Sequence, residues 1–192
     1  MANKNKVEFG LSNVHVGTYE VGAEGVPTLG TPELIPGAVN LTLEEESELY
    51  NFFADDVIYY SEYSDSGESG ELTMALFPDT FKLKFLPYVQ LADGGVAKIK
   101  GEKSKNAYVM FEGKGDAEKR RHIIYNVNFG AIKRERKTIE GTKEVETEVL
   151  PITVVGDNKS GIVKVSYSEG DSGYAGLFTT APVPKLPTTP GV

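Results

Sequence analysis

Two histidines, His15 and His122, and no cysteine stand in a chain of 192 residues. That composition removes disulfides, thiolate metal sites and a cysteine nucleophile, and neither histidine has a partner at metal-ligand spacing. Gly170-Asp171-Ser172-Gly173 matches the surroundings of the nucleophilic serine in chymotrypsin-like proteases. However, Tyr174 follows where another glycine belongs, and neither histidine sits in the motif that supplies the base, so the segment reads as a turn. Carboxylates are the abundant reactive group. Asp55–Asp56 and Asp65–Glu71 offer oxygen ligands to a hard cation, yet without EF-hand spacing a solvated acidic loop explains them better. Lys119-Arg120-Arg121 and the run Lys133, Arg134, Arg136, Lys137 could hold phosphate. No Gly-rich phosphate loop or dinucleotide motif accompanies them, and exposed charges on strands and turns explain them equally. No catalytic constellation and no cofactor site is expected, and an enzyme is the least supported class.

The arrangement of charge is more informative than any motif. From Val7 to Phe81 the chain has fifteen Asp and Glu and no Lys or Arg, and ten of the acids fall between Glu44 and Glu71. From Lys82 onward, eighteen basic residues face thirteen acidic ones, within an overall net charge of −8. So large a single-sign field exceeds what solubility requires and directs attention to partners. The acidic balance argues against a sequence-independent grip on nucleic acid. No apolar run approaches the ~20 residues of a membrane span, and the N-terminus lacks a signal-peptide core, so a soluble protein that stays where it is made is expected.

Glycine (21), proline (10), tyrosine (10) and phenylalanine (9) favour strands with tight turns. Val7, Phe9 and Leu11, then Val14 and Val16, predict a strand bent near Ser12–Asn13. Thr18–Pro32 reads as an irregular loop, and Val39, Leu41 and Leu43 open a second strand after Pro36–Gly37. Like charges at Glu44, Glu45, Glu46 and Glu48 predict that this strand stops, leaving Glu44–Asp56 as an excursion anchored by Tyr50, Phe52 and Phe53. Val57–Tyr63 and Leu72–Leu76 then predict a hairpin around Ser64-Asp65-Ser66-Gly67-Glu68-Ser69-Gly70. A short helix is predicted over Asp79–Leu86, with Asp79 as cap and Pro87 as stop. Val89–Asn106 reads as an exposed Lys-rich loop. Tyr108–Phe111, Ile123–Phe129 and Val163–Tyr167 are predicted strands, and Lys133–Lys143 is a charged connection. A phase slip at Pro151 predicts a bulged edge strand over Val145–Val154.

Several of these segments, in this order, resemble the major tail proteins of siphophages, the tube subunits of long non-contractile phage tails. They are Val7-Glu8-Phe9-Gly10-Leu11-Ser12-Asn13-Val14-His15, Pro36-Gly37-Ala38-Val39, Tyr50-Asn51-Phe52-Phe53-Ala54-Asp55-Asp56 and Val57–Tyr60. Gly67–Leu72, Ala75-Leu76-Phe77-Pro78-Asp79, Arg121–Asn126 and Glu148–Val154 continue the series. The resemblance spans roughly Val7 to Val165. It implies a mainly β fold, an antiparallel β-sandwich or barrel with one flanking short helix and long loops. Residues 1–181 would form this single domain and 182–192 a Pro-rich extended tail, with the immunoglobulin-like domain of some relatives absent.

The resemblance further implies a structural virion protein, assembled in the host cytoplasm into hexameric rings that stack as a tail tube. DNA would cross the lumen transiently without being gripped, and no membrane would be involved. Partners would be other copies of itself, the tape measure protein, the tail terminator and distal tail proteins. In this frame Glu44, Glu45, Glu46, Glu48, Asp55 and Asp56 belong to the lumen or a stacking face. Tyr50, Phe52 and Phe53 anchor a loop between subunits. Lys119, Arg120, Arg121, Lys133, Arg134, Arg136 and Lys137 form a complementary basic face. The competing reading is a β-sandwich module presenting the Tyr50–Tyr63 aromatics to a carbohydrate or protein ligand. The absence of tryptophan, common on sugar-binding faces, weakens it.

Overall fold

Residues 10–116, 118–138 and 145–186 are described by the computed structural model. Their strands are β1 (Leu11–Val21), β2 (Pro27–Leu29), β3 (Glu33–Leu34), β4 (Ala38–Ala54), β5 (Val57–Met74), β6 (Tyr88–Gln90) and β7 (Val96–Lys98). They continue as β8 (Ala107–Gly113), β9 (Arg121–Phe129), β10 (Lys133–Arg134), β11 (Glu148–Val154) and β12 (Lys164–Tyr167), with one helix, α1 (Asp79–Phe85). The main antiparallel sheet runs β2-β1-β8-β9-β11-β5-β4, with β3 on β1, β10 on β11 and β12 on β9. Its path is open, ending at β2 and β4, so no closed barrel forms among the described residues. The hairpin β6–β7 stands apart.

The middle of the sheet is apolar on both sides and therefore takes two covers. On one side Val14, Val16, Leu72, Met74, Val109, Ile124, Leu150 and Ile152 pack beneath α1. The helix supplies Phe81 and Phe85, joined by Phe77, with ring centroids 5.2 Å apart between Phe77 and Phe81 and 5.4 Å between Phe81 and Phe129. On the other side Tyr19, Tyr108, Met110, Ile123 and Tyr125 are covered by Leu177 and Ala181 from the chain after β12. Gly17 makes room there: a Cβ at this position would stand 2.1 Å from the Tyr108 hydroxyl oxygen. Tyr108 donates that hydroxyl to the Gly30 carbonyl at 2.5 Å.

Three buried carboxylates tie the connections down. Asp157 accepts from Tyr19 Oη (2.8 Å), Ser160 N (2.7 Å) and Ser160 Oγ (2.6 Å). Asp116 accepts from the Arg120 backbone and Nε, both at 2.9 Å. Glu148 accepts the Phe77 N–H at 2.9 Å, just ahead of α1, and pairs with Arg134 at 2.5 Å. Burial alone would raise Asp157 and Asp116. The Ser160 and Tyr19 donors for the first, and the Arg120 side chain and backbone N–H for the second, outweigh it and hold both below the usual carboxylate range. Burial, with the Asp157 hydrogen bond, pushes the Tyr19 hydroxyl up to about 12.

The expected bend in the first strand is present: Asn13 has φ 52°, and the register with β8 shifts between Ser12 and His15. Other expectations are corrected. β1 runs through Thr18 to Val21 and folds back as β2, because Tyr19 has a core to enter. The acidic run does not stop β4, since its side chains are solvated. The predicted hairpin around Ser64–Gly70 is instead one continuous strand, β5, in which Gly67 (φ 99°) accommodates a register shift opposite Glu45–Ser47. Pro78 rather than Asp79 is the helix N-cap, while Asp79 lies inside the helix and pairs with Lys82. Val89–Asn106 contains the β6–β7 hairpin.

β11 is no edge strand: β5 lies on one side, β9 and β10 on the other, and the pairing with β5 has no slip at Pro151. The Pro151 carbonyl accepts from Gly130 N at 2.8 Å, so the side lacking a donor faces the break between β9 and β10. The strand begins at Glu148, so Val145–Thr147 of the predicted strand stay outside it, and 139–143 of the predicted charged connection lie outside the described residues. So do Val7, Phe9 and the tail beyond Leu186. Up to that point the tail lies on the domain, with Tyr125 Oη donating to the Pro182 carbonyl at 2.8 Å and Pro184 buried.

Asp157→Ala should destabilise the fold by about 1–3 kcal/mol in urea titration, because buried donors lose their acceptor. A carboxyl held below its unfolded-state value stabilises in full above that value and loses the contribution as pH falls through its folded-state value. Stability should therefore begin to fall below pH ~4, and the drop should be smaller in Asp157→Ala than in the parent.

Candidate assembly surface

β4 and β5 form a ribbon far longer than the core they leave. Asp55 and Asp56 both take positive φ, 51° and 61°, and close a two-residue turn of the kind whose twist matches antiparallel strands. Aspartate tolerates this conformation better than most residues. Pairing is recorded from Ala38↔Met74 at the root to Ala54↔Val57 at the tip. At the root Leu41, Leu43, Leu72 and Met74 join the core. Beyond Glu68 the ribbon has no buried residue among those whose burial is described.

The distal half nevertheless carries nine large exposed apolar side chains: Leu49, Tyr50, Phe52, Phe53, Val57, Ile58, Tyr59, Tyr60 and Tyr63. Tyr59 is 76% exposed, Tyr63 70% and Phe53 62%. So many exposed apolar side chains on one element single it out as the candidate surface for contact with another molecule. The count along β4 is regular from Asn40 to Ala54, so strand periodicity divides the ribbon into two faces. One continues from Leu41 and Leu43 through Glu45 and Ser47 to Leu49, Asn51 and Phe53. The other carries Glu44, Glu46 and Glu48 and then Tyr50 and Phe52. Tyr60 donates its hydroxyl to Glu62 at 2.6 Å, and that carboxylate raises the Tyr60 pKa.

All of the acids and aromatics expected to act between subunits are thus gathered on one element, with Asp55 and Asp56 at its tip. The basic residues are not gathered. Lys119 pairs with Glu169 (2.9 Å), Arg120 with Asp116 (2.9 Å), and Arg121 with Glu112 (3.3 Å). Arg121 also lies over the Tyr174 and Phe178 rings. Lys133 pairs with Glu71 (2.9 Å), Arg134 with Glu148 (2.5 Å), and Lys137 with Glu135 (3.3 Å), while Arg136 is exposed.

His15 stacks on Phe178, and His122 stacks on Phe111 while its Nδ1 meets Ser166 Oγ at 2.8 Å. Asp171 accepts the Ser168 N–H at 2.7 Å, so the Gly170–Gly173 segment is a turn. No group of three or more metal-ligating side chains gathers among the described residues.

The tube reading of the sequence named only Tyr50, Phe52 and Phe53; Tyr59, Tyr60 and Tyr63 entered through the competing ligand-binding reading, and the exposure of Val57 and Ile58 was missed. The Asp55-Asp56 pair between two aromatic runs was the signal, since Asp at both central positions suits a tight hairpin turn.

The sequence model of a family described as "Phage tail tube protein" matches residues 2–149. None of the curated proteins matches the chain. Among solved structures, one similar chain comes from the extended-state sheath-tube complex of an extracellular contractile injection system (PVC). It has 10% identity and a TM-score of 0.46, covering 85% of this chain and 94% of that one. A chain of the sheath/tube terminator of that system has 9% identity and a TM-score of 0.48 over 87% and 100% of the two chains. A chain of the anti-feeding prophage tube-terminating cap has 9% identity and a TM-score of 0.45 over 88% and 98%.

Phe53→Ser with Tyr59→Ser should change the stability of the isolated subunit by less than about 1 kcal/mol, because neither side chain is buried. Leu72→Ala at the buried root should cost about 2–5 kcal/mol. Urea unfolding of the two variants below any association threshold checks the contrast, and equal losses would mean that the tip is packed in the free subunit.

Proposed function

The chain belongs to the phage tail tube protein family, and from that membership we propose that it forms six-membered rings stacked into the tube of a siphophage tail. The observation that carries this reading is the β4–β5 ribbon, a long antiparallel hairpin with nine large apolar side chains exposed. A second copy of the chain is the occupant that fits, because a tube subunit has a neighbour on every side. Tyr50, Phe52 and Phe53, with Tyr59, Tyr60 and Tyr63, dock on the adjacent subunit. β4 is also an end of the sheet path, so its outer edge offers main-chain groups to a neighbouring strand.

The acids of the ribbon serve the tube in two ways. Glu44, Glu45, Glu46, Glu48, Asp55 and Asp56 repel phosphate where they face the lumen, so DNA passes without being held. Where they face another subunit they supply one of the two unlike faces that head-to-tail stacking requires. Exposed cations such as Lys119, Lys133, Arg136 and Lys137 contribute to the other. Tape measure, terminator and distal tail proteins would meet this tube in the virion, after assembly in the host cytoplasm.

Electron micrographs of concentrated protein should show rings about six subunits around, or tubes built from them. Monodisperse single subunits at every concentration would overturn the proposal. Exposed ion pairs are worth only about 0–1 kcal/mol each and act over ~8 Å at physiological ionic strength. Polymerisation followed by light scattering should therefore slow as salt rises, while finished tubes, held by apolar burial and strand pairing, persist.

A further inference from the structure

Two concentrations of charge are left unpaired by the fold, and they are opposite in sign. Glu44, Glu45, Glu46 and Glu48 on β4 are exposed and enter no ion pair among the described residues. Lys98, Lys100, Lys103 and Lys105, at the end of β7 and in the loop after it, are likewise exposed and unpaired there. Only Glu102 lies among these lysines, so the loop carries +3 against −4 on the strand. Lys98, Lys100 and Lys103 line a hollow of about 700 Å³, whose walls also include Tyr88, Phe129 and Ile132. This separates them from Lys119–Arg121 and Lys133–Lys137, most of which already hold carboxylates of the same subunit.

A second observation lies next to the acidic strip. Glu68, 8% exposed, stands directly across the ladder from Glu45, two like charges in a position that disfavours pairing. Lys164 Nζ reaches only its Oε1, at 3.9 Å, and Oε2 has no hydrogen-bond partner. Both carboxylates border a cleft of about 410 Å³, walled also by Glu46, Ser47, Tyr63, Ser64 and Val163. A buried carboxylate oxygen with no donor calls for one from outside the subunit. Two carboxylates supply at most four of the six or more oxygens that calcium takes, so a calcium ion here would draw the rest largely from water. A lysine ammonium on its flexible four-carbon stem is narrow enough to enter and brings three donors.

We propose that the Lys98–Lys105 loop of one copy docks on the β4 acidic strip of the next, one ammonium entering the cleft between Glu45 and Glu68. The proposal rests on the tube reading above and names the two surfaces that meet. They lie on different parts of the subunit, so the contact is heterologous and propagates from copy to copy.

Zero-length carbodiimide coupling of a mixture of isotope-labelled and unlabelled protein tests it directly. Mass spectrometry should find bonds between copies joining Lys98, Lys100, Lys103 or Lys105 to Glu44, Glu45, Glu46, Glu48 or Glu68. Bonds confined to Lys133 or Lys137, or no bonds between copies, would overturn the docking. Reversing all four lysines to glutamate, or the four β4 glutamates to lysine, should slow association at low salt by about tenfold or more. An equal mixture of the two variants should restore it, and failure of that rescue counts against the proposal. Glu68→Gln should weaken association without lowering the subunit's own Tm. A calcium-dependent rise in Tm that Glu68→Gln abolishes would overturn the proposal in favour of a cation site. Coupling without rings or tubes in micrographs supports the docking and sinks the tube reading. Tubes without coupling do the reverse.

Discussion

The structure depends on a mismatch between backbone and side-chain satisfaction along β4 and β5. Main-chain pairing is recorded from Ala38↔Met74 to Ala54↔Val57. Apolar burial stops near Leu43 and Leu72. A two-stranded ribbon held by its ladder alone is marginal in water. Here the root is clamped, because β5 continues into the core beside β11 and delivers Leu72 and Met74 beneath α1. Two covers, α1 on one face and the segment around Leu177 on the other, use the apolar surface of the central strands. Nothing among the described residues remains to cover the ribbon. The domain is thus a finished core carrying an element that the described residues leave uncovered.

What the sequence disclosed follows from which signals are local. Alternation in β1 and β12 and the helix at Phe81–Phe85 were legible because burial on one face writes a periodic pattern, and β8 was legible as a short unbroken apolar run buried on both faces. The ribbon was not, because neither of its distal faces is buried and periodicity has nothing to report. Glutamates at four of five consecutive positions looked like an interruption, yet like charges disfavour a strand only where they must be desolvated or stand opposed. Two of the four stand opposite serine, Glu44 facing Ser69 and Glu48 facing Ser64, Glu46 falls at the register shift, and only Glu45 opposes a like charge, Glu68. Gly67 and Gly70 resembled turn residues for the same reason that they serve in a strand: each sits where a side chain would collide. A Cβ on Gly70 would lie 1.9 Å from the Thr42 carbonyl oxygen.

In β9 the apparent alternation of Ile123, Tyr125, Val127 and Phe129 hid a change of face. Ile123 and Tyr125 enter one core, whereas Ile124, Val127 and Phe129 enter the other. Asn126, with φ 53°, rotates the chain between them. It fills the bulge with hydrogen bonds to the Gly156 carbonyl (2.9 Å) and Asn158 (3.1 Å). Pro151 misled in the opposite direction. A proline inside a strand suggested an edge, and the missing donor is indeed unopposed, but by a gap in the neighbouring strand rather than by solvent. Both of these misses concern a partner distant in sequence, which no local pattern encodes.

The acids and the aromatics of the ribbon also solve a problem together. β4 is seventeen residues long and, among the described residues, unpaired on its outer side. A long free edge next to exposed phenylalanine and tyrosine is an invitation to indiscriminate strand addition. Glu44, Glu45, Glu46 and Glu48 interrupt that edge between the buried root and the apolar tip. Two such strands brought together in register would oppose carboxylate to carboxylate, at a cost in every pair. The apolar tip can therefore supply affinity while the charged stretch rejects partners that lack cations in the matching place. In the proposed assembly, attraction would come from burial of the aromatics and selection from the penalty on everything else. The proposed assembly, in which a subunit stays separate until it meets the correct face of another copy, needs both, and here one strand carries them in sequence.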